Sequence, residues 1–159
     1  MQFYTKKSGF TIVELIIVIV LIGIVAIIVN SRISDISFFQ TSADIDQLIS
    51  HIKYIQHKSM VSGGCWRIEF NASTDSYSIY DKNGNSVKFP DKNSNSVNLE
   101  TDFTITKGGS PLSSPIYFDY IGRPCEDNLC KNRTTSQIRI TCGSSNILIE
   151  PHSGGVYVE

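Results

Sequence analysis

The residues able to do chemistry in this 159-residue chain are few. Cys65, Cys125, Cys130 and Cys142 are the most reactive. An even cysteine count outside the reducing cytoplasm reads as two disulfides, with three possible connectivities. Cys125 and Cys130 also have the spacing of zinc ligands, but an oxidising compartment favours the bridge. These two bracket a Glu-Asp-Asn-Leu tip, so a local Cys125–Cys130 bridge is expected, with Cys65 joined to Cys142 beside predicted strands. No metal is expected.

Residues 81–90 and 91–100, DKNGNSVKFP and DKNSNSVNLE, match at six of ten positions and suggest a local duplication. Asp91, Asn93 and Asn95, followed by Asp102, approach a calcium loop. The sixth position is Ser96 rather than glycine and the twelfth is Asp102 rather than glutamate, so a plain turn is expected. His51 and His57 are six apart on a predicted helix and share no face, and His152 falls in a turn. All three are expected at the surface. Asp119 and Arg123 are expected to form a salt bridge within a turn. There is no H-E-x-x-H, P-loop, G-x-S-x-G or paired acidic set, so neither an enzyme nor a cofactor site is expected.

One further charge stands out for its surroundings. Residues 10–29 are apolar except for Thr11 and Glu14. As a helix, 20 residues rising 1.5 Å each would be about 30 Å long, one hydrocarbon thickness. A soluble core helix would need a polar face, and this run has none. A cleaved secretory signal would need a small-residue site after the run, where the sequence instead reads Ala26-Ile27-Ile28-Val29-Asn30-Ser31-Arg32. Lys6 and Lys7 place the N-terminus in the cytoplasm and the chain beyond Asn30 outside it, with Arg32 a minor opposing charge. A carboxylate within lipid costs about 2.5–3.5 kcal/mol, which predicts a partner for Glu14.

Residues 33–60 continue in a helical pattern. Ile45, Leu48, Ile49, Ile52 and Ile55 form one apolar stripe suited to packing on a sheet, and Ser62-Gly63-Gly64 ends the helix. From Cys65 the period becomes two. Predicted strands carry Trp66, Ile68 and Phe70; Tyr77 and Ile79; Val87 and Phe89; Phe103 and Ile105; Ile116, Phe118 and Tyr120; Ile138, Ile140 and Cys142; Ile147 to Glu150; and Val156 to Val158. Asn83-Gly84 is expected to form a type I′ hairpin turn. The fold class is α+β, a long N-terminal helix on an antiparallel β-sheet domain.

The run Lys6-Lys7-Ser8-Gly9-Phe10-Thr11-Ile12-Val13-Glu14-Leu15-Ile16 resembles the type IV prepilin N-terminus. The resemblance implies cleavage after Gly9 by a prepilin peptidase, methylation of the new Phe10 amine, and pairing of Glu14 with a neighbouring subunit's N-terminus. It implies one continuous helix from residue 10 to about 60. Many major pilins carry a proline near the position of Ser31, which this chain lacks. The organisation expected is a leader at 1–9, a transmembrane helix at 10–29, its amphipathic continuation at 30–62 and a β domain at 63–159. Implied partners are other pilins or pseudopilins, the peptidase, the inner membrane and an assembly platform, with the β domain periplasmic or in a surface filament.

The stretches Ser62-Gly63-Gly64-Cys65-Trp66-Arg67-Ile68, Ile116-Tyr117-Phe118-Asp119-Tyr120-Ile121-Gly122-Arg123-Pro124 and Ile149-Glu150-Pro151-His152-Ser153-Gly154 are similar to minor pilins and pseudopilins. That group includes the H-type pseudopilins of type II secretion and the minor pilins of mannose-sensitive haemagglutinin (MSHA) pili. Paired cysteines favour the MSHA-like members. The implied function is a structural subunit; the alternative is a binding subunit at a filament tip, an adhesin or a DNA-uptake pilin. Loss of the leader lowers the formal charge from −1 to −3, and residues 140–159 contain no Lys or Arg, which argues against nucleic acid as a partner.

Overall fold

A computed structural model of the chain describes residues 11–113 and 115–159, and the side chains among them except those of residues 27–40. The expected leader, with Gly9 and Phe10, lies outside the described residues. The chain divides into two units, Met1–Phe38 and Phe39–Glu159.

Helix α1 (Ile12–Ser62) runs through both. Thr11 caps its start: the Thr11 hydroxyl accepts the Glu14 amide at 3.2 Å, satisfying one of the N–H groups a helix leaves open. Gly63, at φ +61°, lets the chain leave the helix in a conformation that costs other residues a Cβ clash. Within the second unit the 3/4 spacing buries Ile45, Leu48, Ile52 and Ile55, with Ile49 packed against the core they join. His51, Gln56 and Ser59 are buried on the same stretch.

The β residues form two antiparallel sheets rather than one. The first has the order β3 (Ser86–Val87), β2 (Ser76–Tyr80), β1 (Trp66–Asn71), β7 (Ile116–Phe118), β8 (Pro124–Cys125), with β4 (Ser96–Asn98) also paired to β2. The second has the order β11 (Val156–Val158), β10 (Ser145–Ile149), β9 (Ile138–Cys142), β5 (Phe103–Lys107), β6 (Ser110–Pro111). Alternation sorts their faces. Trp66 and Ile68 oppose Phe118 and Ile116 on the buried face of the first sheet, while Arg67 opposes Tyr80 on the other. Ile105, Ile140 and Ile147 lie in register across the second sheet and are buried.

The ten-residue repeat is visible in the pairing. Ser86-Val87 and Ser96-Val97 are equivalent positions of the two copies, and each copy lays these residues on β2. The following apolar residues, Phe89 and Leu99, are both buried. The turn of the first copy is not type I′, which needs positive φ at both central residues. Gly84 has φ +84°, but Asn83 is not among the positive-φ residues. Asp81 is the reason: its carboxylate accepts the amides of Asn83 at 2.9 Å and Asn85 at 2.8 Å and holds a longer loop.

Candidate functional site: the helix start and the braced β domain

Glu14 lies in the first turn of α1, solvent-exposed, where its charge complements the positive end of the helix. Every residue from 11 to 26 is exposed. Thr11, Glu14 and Gly23 apart, this means a helix that shows aliphatic side chains on all faces, with Ile12 80% exposed. Among the described residues no helix is long and apolar enough to cross a membrane; the expected span at 10–29 extends past the described side chains at both ends.

In the second unit, three buried polar residues of α1 each hold a different part of the domain. Gln56 donates from Nε2 to the carbonyls of Gly122 at 2.8 Å and Gly154 at 2.7 Å. This one amide therefore gathers the β7–β8 turn and the β10–β11 turn, two of the stretches that carried the family resemblance. The approach is tight: a Cβ on Gly154 would lie 2.2 Å from the Gly122 carbonyl oxygen. Ser59 bonds from its hydroxyl to the carbonyls of Gly64 and Phe118 and sits near the Trp66 amide, tying the helix end to β1 and β7. The Asp119–Arg123 salt bridge expected from sequence is present at 2.8 Å. Burial opposes its charge, but amides of Arg123 and Ile121 and the Arg123 guanidinium hold the Asp119 carboxyl below the ordinary range.

His51 is the third, and the sequence misplaces it. Only 2% exposed, it lies between Tyr77 and Asp91 rather than at the surface. Nδ1 is 2.7 Å from the Tyr77 hydroxyl and Nε2 is 2.7 Å from Asp91 Oδ1. A carboxylate only accepts, so Nε2 carries the proton and Nδ1 accepts from Tyr77. Burial pushes the His51 pKa down against the pull of Asp91, and burial raises that of Tyr77. Asp91 is held low by His51 and Gln47 despite its own desolvation. Tyr–His–Asp is an arrangement suited to proton transfer; here Tyr77 is 1% exposed and packed in the core. The relay acts as a latch from the second repeat to α1 and β2. Its signal was spacing: His51 stands three residues after Leu48 and four before Ile55, on the apolar stripe.

The cysteines also depart from expectation. Cys65 is bonded to Cys130, with Cα atoms 5.9 Å apart, and Cys125 and Cys142 are free and buried. The Asp127 carboxylate accepts the amides of Leu129, Lys131 and Asn132 and so folds the 127–132 tip on itself. That loop brings Cys130 to the α1–β1 connection, where Cys65 lies, and not back to Cys125 on β8. Cys142 sits in β9 among core residues of the second sheet. Burial raises both free thiols to about 11, keeping them protonated and poor nucleophiles near neutral pH. Among the described residues no cluster of His, Cys, Asp or Glu could hold a metal ion.

Residues 4–30 match the family model of the prokaryotic N-terminal methylation motif. The fold is similar to the minor pseudopilin EpsH from the type 2 secretion system of Vibrio cholerae, with a TM-score of 0.50 at 11% identity, over 76% of this chain and 96% of that one. The chain carries the N-terminal methylation motif on a pseudopilin-like fold. No curated protein matches it in sequence. The pilin-like fold accounts for the element order, one N-terminal helix followed by antiparallel sheets, and the methylation motif covers the exposed apolar helix and Glu14.

Proposed function

We propose that this pilin-like chain is a non-enzymatic minor subunit of a type II secretion pseudopilus or an MSHA-like type IV pilus, made as a precursor. A prepilin peptidase cuts after Gly9 and methylates Phe10. Residues 10–29 anchor the product in the bacterial inner membrane with the β domain periplasmic, and an assembly platform moves it into a filament of other pilins or pseudopilins. The observation that carries this reading is the helix exposed on every face from residue 11 to 26 with one carboxylate, Glu14, in its first turn. Aliphatic surface of that extent must be covered, first by lipid and then by equivalent helices. Glu14 then needs a cation, and the Phe10 amine of a neighbour supplies it.

The Vibrio cholerae relative supports the pseudopilus of the two machines. The preference for an MSHA-like pilus rested on paired cysteines, and two of the four are free thiols. N-terminal mass spectrometry of the chain purified from its own membrane tests the processing: a methylated Phe10 is expected. An intact Met1, or a terminus after residue 26, would overturn it. A deletion strain scored for surface pili and for secreted enzymes then separates the two machines.

A further inference from the structure

The outermost strand of a sheet presents a row of unpaired amides and carbonyls on which another chain can pair. Among the described residues, three of the four sheet edges are closed. Beyond β2 the first sheet ends in two separate pieces, β3 and β4, whose exposed side chains are Ser86, Ser96 and Asn98. On its other side β8 begins with Pro124, and its Cys125 is bridged by Arg133. The second sheet ends at β6 on Pro111. An interrupted edge, prolines without an N–H and a covering residue are protections against edge pairing. The fourth edge, β11, lacks all of them. Val156-Tyr157-Val158 carries no proline, glycine or charge, and Tyr157 and Val158 are 44% and 48% exposed.

The hydrogen bonds to β10 set which groups of β11 are open. Asn146 and Glu159 exchange both bonds, at 3.3 and 2.9 Å, and the Gly155 carbonyl accepts the Glu150 amide at 2.9 Å. Bonded pairs alternate along an antiparallel ladder, so Tyr157 pairs inward with Leu148 while the amides and carbonyls of Val156 and Val158 point away from β10. Among the described residues nothing bonds those outward groups. The strand is already ordered. The Tyr157 hydroxyl donates to Glu150 at 2.8 Å and accepts from Gln137 at 3.1 Å, and Glu159 is paired with Arg139 at 3.2 Å. Little ordering entropy is left to lose on pairing.

We propose that β11 pairs antiparallel with β11 of a second copy of this chain. Val-Tyr-Val reads the same in both directions. With the two Tyr157 residues opposite each other, Val156 of each copy faces Val158 of the other, and every outward amide and carbonyl of both residues finds its complement. A shift by one residue would set outward groups against the inward groups of Tyr157. A shift by two would call on Gly154, whose amide and carbonyl are taken by Glu150 and Gln56. Val156 and Val158 then meet on one face of the joined sheet and the two Tyr157 rings on the other, both favourable cross-strand pairs. The proposal stands on the β domain and does not depend on the assembly reading.

The test uses the intact chain in the cells that make it. Cysteine replaces Val156, Tyr157 or Val158 in turn, and mild oxidation is followed by a non-reducing gel and mass spectrometry. The proposed register sets position 157 opposite itself, with Cα atoms about 4.5 Å apart, within disulfide reach. Positions 156 and 158 meet their own copies only diagonally, at about 7–8 Å, beyond it. A dimer linked 157 to 157 is therefore expected, with little from 156, 158 or the unsubstituted chain. Val158→Pro removes an outward amide from each copy and none that bonds β10, so it should cut the 157 link at least about tenfold. The buried Cys125 and Cys142 should stay unlabelled in that variant, which shows that its fold is kept; if they are labelled, the pattern over the three cysteine positions decides alone. Equal links at all three positions, no link at 157, a link from 157 only to a different protein, or a folded Val158→Pro chain that links as well as its parent would overturn the proposal.

Discussion

Replacing Gln56 with leucine removes both hydrogen bonds that join the β7–β8 and β10–β11 turns to α1, at 2.8 and 2.7 Å. Leucine is of similar bulk, so the cavity contribution is small. The cost is that of two carbonyls left without a donor, about 1–3 kcal/mol each. A cleft of about 210 Å³ lined by Gln56 admits water, which places the total in the lower half of that range, about 2–4 kcal/mol. Against a typical domain stability of about 5–15 kcal/mol this is readily measured. Urea unfolding of residues 33–159, made without the apolar run, is the assay, and the midpoint should fall with little change in slope. Gln56→Glu sharpens the test. A protonated carboxyl can still donate to one carbonyl, but an ionised one faces two oxygens. Its folded pKa is therefore raised, so this variant loses stability as pH rises above about 4.3, by up to about 1.4 kcal/mol per pH unit. If Gln56→Leu stays within about 0.5 kcal/mol of the parent, the range of an ordinary surface change, the bracing role of Gln56 is wrong.

Stability should also fall with acid through His51. Its folded pKa is lowered, so the unfolded chain takes up the proton first; the contribution is full above about 6.5 and declines below it. Asp91, also lowered, adds a further loss near and below about pH 4. His51→Gln should flatten the step between pH 7 and 5 in urea midpoints, and an unchanged step would show that His51 is not its source. Thiol labelling in denaturant without reductant should find two free cysteines, Cys125 and Cys142; finding none would restore the two-bridge arrangement. Cys65→Ser opens a loop of 65 residues, a loss of about 4 kcal/mol by chain entropy, seen as a lower urea midpoint that reductant no longer shifts.

Periodicity made much of this fold legible. The stripe from Ile45 to Ile55 and the alternation in β1, β5 and β9 are the direct imprint of one buried face per element. The Asp119–Arg123 pair was legible because both ends lie within one turn. What was hidden depended on side chains acting across the chain. The Cys65–Cys130 pairing follows from the Asp127 loop, which no cysteine spacing encodes. Gln56 and Ser59 read as ordinary polar residues until the carbonyls of Gly122, Gly154 and Phe118 are brought to them. Strands β4, β6 and β8 are two or three residues long and too short to alternate. The division into two sheets is likewise a property of pairing, not of any single strand.

The role of the helix start rests most directly on Glu14, and replacing it with valine in the intact chain is the decisive measurement. Losing the charge eases membrane insertion by about 2.5–3.5 kcal/mol, so the protein should still reach the membrane. In the proposed scheme the cut follows Gly9, so the cleaved form should still accumulate. Incorporation should fail, because the neighbouring amine is left as an unpaired buried ion at a cost of about 3–5 kcal/mol. Crosslinking or shearing followed by quantitation of the chain in the assembled fraction is the readout, with Glu14→Asp retaining partial incorporation. A processed, membrane-resident Glu14→Val chain missing from the assembly is the expected result; incorporation at the parent level would contradict assembly through this residue.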